Sequence, residues 1–130
     1  YGQFIGDYID RASNGDYKLY GHNNTRSWLY ISDLVDALKL LMATKNAVNE
    51  VFNIGHSSEV SVLEVAKEFS RQSTKKIEII YTKRRNNDLI KIIASNNKLK
   101  NFIKWKPKFN NLAKIVKSCL DWEKKLKNNR

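Results

Sequence analysis

Scarcity narrows the possibilities before any motif is read. One cysteine, Cys119, cannot close an internal disulfide, which fits a reducing cytoplasm. That thiol and two well-separated histidines, His22 and His56, offer no metal-ligand spacing. No run of about 18 apolar residues occurs, so no membrane-spanning helix is expected. No signal peptide opens the chain, which begins at Tyr1, and this start suggests a piece of a longer protein. The five glycines, Gly2, Gly6, Gly15, Gly21 and Gly55, fit neither a dinucleotide-binding loop nor a P-loop. No Ser, His and Asp arrangement for nucleophilic catalysis is evident, so no catalytic residue is assigned. With neither an internal repeat nor a linker, residues 1–130 are expected to form one domain.

Acidic residues are also few. Thirteen stand against 24 lysines and arginines, a formal net charge of +11. Such a charge favours an anionic ligand or a polyanionic partner. A general bias toward lysine, asparagine and isoleucine explains it equally well. The densest basic patches are Lys75-Lys76, Lys83-Arg84-Arg85 and the C-terminal tail.

Periodicity gives the elements. Phe4, Ile5, Tyr8, Ile9 and Ala12 recur at helical spacing, so residues 3–13 predict a helix stopped by Asn14-Gly15. Tyr17 to Tyr20 has strand character, Gly21 to Asn24 reads as a turn, and Ser27 to Ile31 reads as a second strand. Ser32 is the predicted cap of a helix through about Thr44, with Asp33 and Asp36 serving its start. Its apolar stripe would be Leu34, Ala37, Leu38, Leu41 and Met42. Residues 50–55 read as a buried strand, and His56 as a solvated loop residue. Ser61 and Glu64 have capping-box spacing ahead of a helix with Val62, Val65, Ala66 and Phe69 on one side. Residues 76–81 alternate as a strand, and a basic loop, residues 82–88, follows. Ser95 is expected to cap a short helix that ends before Trp105-Lys106-Pro107. A last helix spans residues 110–127, with Leu112, Ile115, Val116, Cys119 and Trp122 on its stripe. The alternation of helices and strands indicates an α/β fold.

Anion binders and stackers cluster in two loops. Arg26 follows the first turn, Arg85 sits in the basic loop, and Asp88 comes three residues later. Guanidinium groups fork onto phosphates, an aromatic wall such as Tyr20 receives a base, and a carboxylate accepts from ribose. Arg26, Arg85, Tyr20 and Asp88 would supply that set if the loops meet. A merely solvated basic loop remains the plain alternative.

The string LYGHNNTRSWLYISDLVDAL resembles a segment of the extended short-chain dehydrogenase/reductases, the NAD-dependent nucleotide-sugar epimerases, dehydratases and decarboxylases. VFNIG followed by EVSVLEVA is similar to that family's next strand and helix. RRNNDLIKIIASNNKLKNFIKWKPK resembles its Arg-Pro-Gly-Asp and Leu-Gly-Trp-Lys-Pro segments. The resemblance implies the C-terminal, substrate-binding part of a Rossmann-like fold without its dinucleotide-binding half. Arg26 and Arg85 would then hold the diphosphate of a UDP- or dTDP-sugar, and Asp88 its ribose. Tyr20 and the backbone at Lys18 would line the base, and Gln3 and Phe4 would make further contacts.

The resemblance also has gaps. Asn86-Asn87 replace Pro-Gly, Ser95 stands where an Asp often caps the helix, and Lys104 replaces the Gly before Trp105. No tyrosine has a lysine four residues on, so the family's Tyr-x-x-x-Lys is missing. NAD is therefore expected in a parent enzyme, itself a homodimer, and not on these 130 residues, which should not catalyse alone. Residues 51–54 would pair with the parent's parallel sheet, and without it they would expose an edge prone to association. Trp28 leans toward a 4,6-dehydratase over a 4-epimerase. A nucleic-acid-binding module, with Tyr20, Trp28 and Trp105 as stacking surfaces, and a truncated remnant are the competing readings.

Overall fold

The computed structural model describes residues 16–56, 58–74 and 77–128. The helix expected at residues 3–13 lies outside them. The elements in chain order are β1 (Asp16–Tyr20), β2 (Thr25–Arg26), α1 (Ile31–Met42), a 3-10 turn (Lys45–Ala47), β3 (Val60–Ser61), α2 (Val62–Gln72), β4 (Glu78–Thr82), β5 (Lys91–Ile92), α3 (Asn97–Ile103) and α4 (Leu112–Asn128). The α/β class is thus as expected. The chain divides into two compact units, one of Tyr1–Asn24, Ser61–Ile90 and Asn111–Arg130, the other of Thr25–Val60 and Lys91–Asn110.

In the first unit β1 and β4 lie parallel, Tyr17 opposite Ile79 and Tyr20 opposite Thr82. Tyr17 and Leu19 are buried, while Lys18 between them is exposed, the period of two that puts alternate side chains on opposite faces. The capping box forms as expected. Glu64 N–H donates to Ser61 Oγ (3.1 Å), and Ser61 N–H donates to the Glu64 carboxylate (2.7 Å). These bonds hold the Glu64 carboxyl below its usual range, Ser61 being the main cause. Behind the cap, Val62, Val65, Ala66 and Phe69 are all buried. α2 packs against α4. Gln72 Nε2 donates to the Ala113 carbonyl (2.8 Å) between the same two helices.

In the second unit β2 lies parallel to β5, Thr25 opposite Lys91 and Arg26 opposite Ile92. Its core is Ala37, Leu99 and Trp105, with Leu29, Leu41, Phe52, Ile54 and Ile103 packed against them. Trp105 is therefore interior and cannot serve as a stacking surface. α3 ends on Lys104 in the left-handed region (φ 50°), the position where glycine is usually found.

Several local expectations fail, each for a traceable reason. Gly21 to Asn24 does turn, with Asn24 N–H donating to the Gly21 carbonyl (2.8 Å). The turn does not make a hairpin, because β1 and β2 each pair with a strand from much later in the chain. Residues 27–30 are not a strand. The β2–β5 ladder ends as Ser27 N–H donates to the Ile92 carbonyl (3.2 Å), and Leu29 turns into the core. Tyr30 is the N-cap residue of α1, and Ser32 Oγ is buried without a partner inside the first turn. Of the expected stripe on α1 only Ala37 is fully buried. Leu38 and Met42 are exposed, Met42 at 87%, because the helix also turns Asp33 inward. Residues 50–55 carry no ladder. Phe52 and Ile54 pack inward, Val51 is 82% exposed, and Lys98 Nζ takes the Val51 carbonyl (3.0 Å). Asn96, not Ser95, precedes α3, and its side-chain amide donates to the Gly55 carbonyl (2.7 Å) instead of capping. Trp122 is exposed, at 60%, although the apolar stripe of the last helix includes it.

Candidate functional site

Three of the residues that the sequence singled out gather in the first unit. The Arg85 guanidinium lies over the Tyr20 ring, 4.5 Å from its centroid. Asp88 N–H donates to the Arg85 carbonyl (3.2 Å), so the loop folds back on itself. Asn87 completes the turn at φ 70°, a conformation asparagine tolerates better than most residues. Stacking uses only the face of the guanidinium. A guanidinium held over an aromatic ring can still fork onto a phosphate through its N–H groups. Lys18 is exposed two residues before Tyr20 on the same face of β1, across from Ile80.

Sequence reading missed the residues that fix this arrangement. Asn24 Nδ2 donates to Asp88 Oδ2 (2.7 Å), across 64 residues of chain. Arg84 donates to the Asp88 carbonyl (2.6 Å). Asn24 had counted only as a turn residue, and no local pattern could reveal a bond of that span. His22, in the same turn, meets the Tyr81 ring edge-on, with centroids 5.4 Å apart.

Arg26 belongs to the second unit. It is half-buried at the end of β2, and its guanidinium donates to the Thr25 carbonyl (2.8 Å). Trp28 is half-buried, its indole N–H directed at the Val60 carbonyl (3.4 Å). Gln3 and Phe4 lie outside the described residues.

His56, expected in solvent, is buried at 7% exposure. Ser58 N–H donates to its Nδ1 (3.0 Å), and Ser27 Oγ donates to its carbonyl. Burial holds its imidazole below the usual range, and Lys100 pushes the same way against a smaller opposing effect of Asp33. The unfolded chain therefore takes up this proton more readily than the folded one. The stability contributed by neutral His56 is complete above its ordinary pKa of 6.5 and is lost as the pH falls through the lowered folded value. Replacing His56 with Gln is expected to flatten the acid limb of stability between about pH 5 and 7. Melting temperatures across that range check this, and an unchanged slope in the variant would assign the limb to other groups. Burial also raises the Cys119 thiol, which keeps it protonated at neutral pH and a poor nucleophile.

The described glycines form no cradle for the phosphates of NAD. A phosphate-cradling glycine opens toward its ligand, whereas both described glycines open onto side chains. A Cβ on Gly21 would sit 2.4 Å from Asn24 Nδ2, and one on Gly55 2.6 Å from the Ala94 Cβ. No group of three or more His, Cys, Asp or Glu side chains able to hold a metal ion occurs among the described residues. Among them, too, no helix is long and apolar enough to cross a membrane.

Comparison with known proteins agrees with the motifs. The family model described as GDP-mannose 4,6 dehydratase matches residues 3–118. A UDP-glucose 4-epimerase of Lactobacillus helveticus is 31% identical over 115 residues, which cover 84% of this chain and 34% of that protein. The UDP-glucose 4-epimerase of Thermotoga maritima, solved with UDP-glucose, superposes with a TM-score of 0.76 at 26% identity, covering 97% of this chain and 41% of that one. A dTDP-glucose 4,6-dehydratase of Bacillus anthracis, solved in complex with NAD, gives a TM-score of 0.73 at 25% identity, covering 95% and 39%. The chain spans about a third of the length of the curated relatives it matches, 30% and 33% for two of them. It belongs to the GDP-mannose 4,6 dehydratase family, and so to the NAD-dependent epimerases and dehydratases of the extended short-chain dehydrogenase/reductases.

Proposed function

We infer that these 130 residues form the nucleotide-sugar-binding domain of an NAD-dependent enzyme, of the UDP- or dTDP-sugar 4-epimerase or 4,6-dehydratase type. The observation that carries this reading is the stacked Tyr20–Arg85 pair, joined through one loop to Asp88. Arg85 holds the diphosphate. Asp88 accepts from the ribose, while Tyr20 and the backbone at Lys18 bound the base. Gln3 and Phe4 are further substrate contacts on the family resemblance.

Bound NAD would supply the hydride-transfer chemistry of the whole enzyme, held by residues outside these 130. The side chains here bind and orient the nucleotide and move no proton themselves. A dinucleotide-binding part with the Tyr-x-x-x-Lys pair, on a longer polypeptide or a separate chain, completes the enzyme, which is a cytoplasmic homodimer.

Titration calorimetry of the folded chain with UDP, dTDP, GDP and CDP tests the reading, with single-stranded DNA as a comparison. Heat is expected with UDP or dTDP, and Arg85→Ala is expected to weaken that binding about tenfold or more, the scale of one charge-assisted contact. Silence from every nucleotide would overturn it. So would tighter binding of DNA with a steep dependence on salt.

A further inference from the structure

His56, in the second unit, has no part in the nucleotide reading. Its Nδ1 accepts from Ser58 N–H (3.0 Å), and the Ser58 hydroxyl lies on the same nitrogen. A backbone N–H can only donate. Nδ1 is therefore the bare nitrogen, and the neutral ring carries its proton on Nε2. The backbone on one side of this contact is fixed independently of the ring. Ser27 Oγ donates to the His56 carbonyl, and Asn96 Nδ2 donates to the Gly55 carbonyl (2.7 Å). On the other side the ties are weak. The Glu59 carboxylate meets Thr25 Oγ1 (3.3 Å) and Lys91 Nζ, both at the surface, where such pairs contribute little. The Val60 carbonyl has the long bond from the Trp28 indole (3.4 Å). The His56 ring is thus the main inward hold on the approach to β3.

That hold depends on charge. A proton on Nδ1 removes the acceptor and sets two donors face to face. Burial and Lys100 of α3 both disfavour the imidazolium, and Asp33 of α1 favours it less strongly. The Asp33 carboxylate is already engaged by the N–H groups of Lys108 and Phe109. We propose that His56 is a pH-sensitive latch: its neutral ring holds Ser58, and its protonation at Nδ1 releases Ser58 N–H and loosens the approach to β3 while α1 stays folded. A released ring in water takes up its proton near the ordinary 6.5 and the held ring only at lower pH, so release grows as the pH falls. The latch needs no nucleotide and stands apart from the reading above.

Heteronuclear NMR of the labelled chain tests it. At neutral pH the His56 ring is expected as the Nε2–H tautomer. The Ser58 amide is expected to exchange with solvent about fivefold to tenfold more slowly than a free amide at the same pH, the value of one hydrogen bond. Between about pH 7.5 and 5 that protection should vanish, with a midpoint that follows the His56 ring and not the His22 ring. The amides of Ala37 and Leu41, inside α1, should keep theirs. His56→Asn puts a carbonyl oxygen in place of Nδ1, an Asx turn that cannot titrate, and should hold Ser58 protection within about twofold over the same range. Ser58→Ala keeps the N–H and should keep the pH response. An Nδ1–H tautomer at neutral pH overturns the proposal, as does Ser58 protection that is equal at both ends of the range. Loss at Ala37 and Leu41 together with Ser58 would be general unfolding and removes the latch equally. Those three results come from the wild type, whether or not a variant folds. A folded His56→Asn chain with the wild-type response also overturns it.

Discussion

Phe69→Ala is expected to destabilise the chain by about 3–5 kcal/mol, the usual cost of emptying a fully buried aromatic site. Phe69 is 1% exposed, on the inner face of α2 with Val62, Val65 and Ala66. Gln72 Nε2, on the same helix, also donates to the Ala113 carbonyl of α4. Domains of this size are stable by about 5–15 kcal/mol in all, so the loss would be a large share. Urea unfolding reads it as a lowered midpoint with little change in slope. Trp122→Ala serves as the comparison, since that ring is mostly in solvent and its removal should matter far less. A loss below about 1 kcal/mol at Phe69 would mean that the α2 face does not hold the first unit together.

The second large effect is expected at Asp33, in the other unit. Its carboxylate is 1% exposed and accepts from the backbone N–H groups of Lys108 (2.9 Å) and Phe109 (3.0 Å). It anchors the segment between α3 and α4 onto the first turn of α1, and Tyr30 packs on the Phe109 ring beside it (4.9 Å between centroids). Asp33→Ala leaves two partly buried donors unmet, a cost of about 3–6 kcal/mol at 1.5–3 per charge-assisted bond. Asp33→Asn keeps one acceptor oxygen and should lose roughly half as much. The neighbouring Lys108–Asp36 pair is the control. Lys108 holds the Asp36 carboxyl below its usual range, yet both groups lie in water. Breaking that pair should change little. Equal losses at Asp33 and Asp36 would show that the buried carboxylate has no special part.

What the sequence made legible was local. The Ser61–Glu64 box and the four apolar residues behind it lie within nine positions, and their physics is complete without the rest of the chain. The alternation at Tyr17, Lys18 and Leu19 is of the same kind. The motif strings also located the basic loop and the aromatic residue it covers. What stayed hidden was every interaction that needs a distant partner. Turn chemistry at Gly21 to Asn24 says that the chain bends there, but not that β1 will pair with β4. Asn24, Asp33, His56 and Asn96 all looked like surface or capping residues, because polar side chains usually are. Each is buried in the structure, and Asn24, Asp33 and Asn96 bond to groups 41 to 76 positions away. Helical stripes misled where only part of a periodic face is covered, as at Met42 and Trp122.

The two units are interleaved along the polypeptide, which passes from one to the other at residues 24–25, 60–61, 90–91 and 110–111. A single cleavage by a protease can therefore release neither unit as a free body. No simple truncation yields the Tyr20–Arg85 region by itself. Evolution, in turn, would have to move the Tyr20–Arg85 region between proteins as one indivisible cassette.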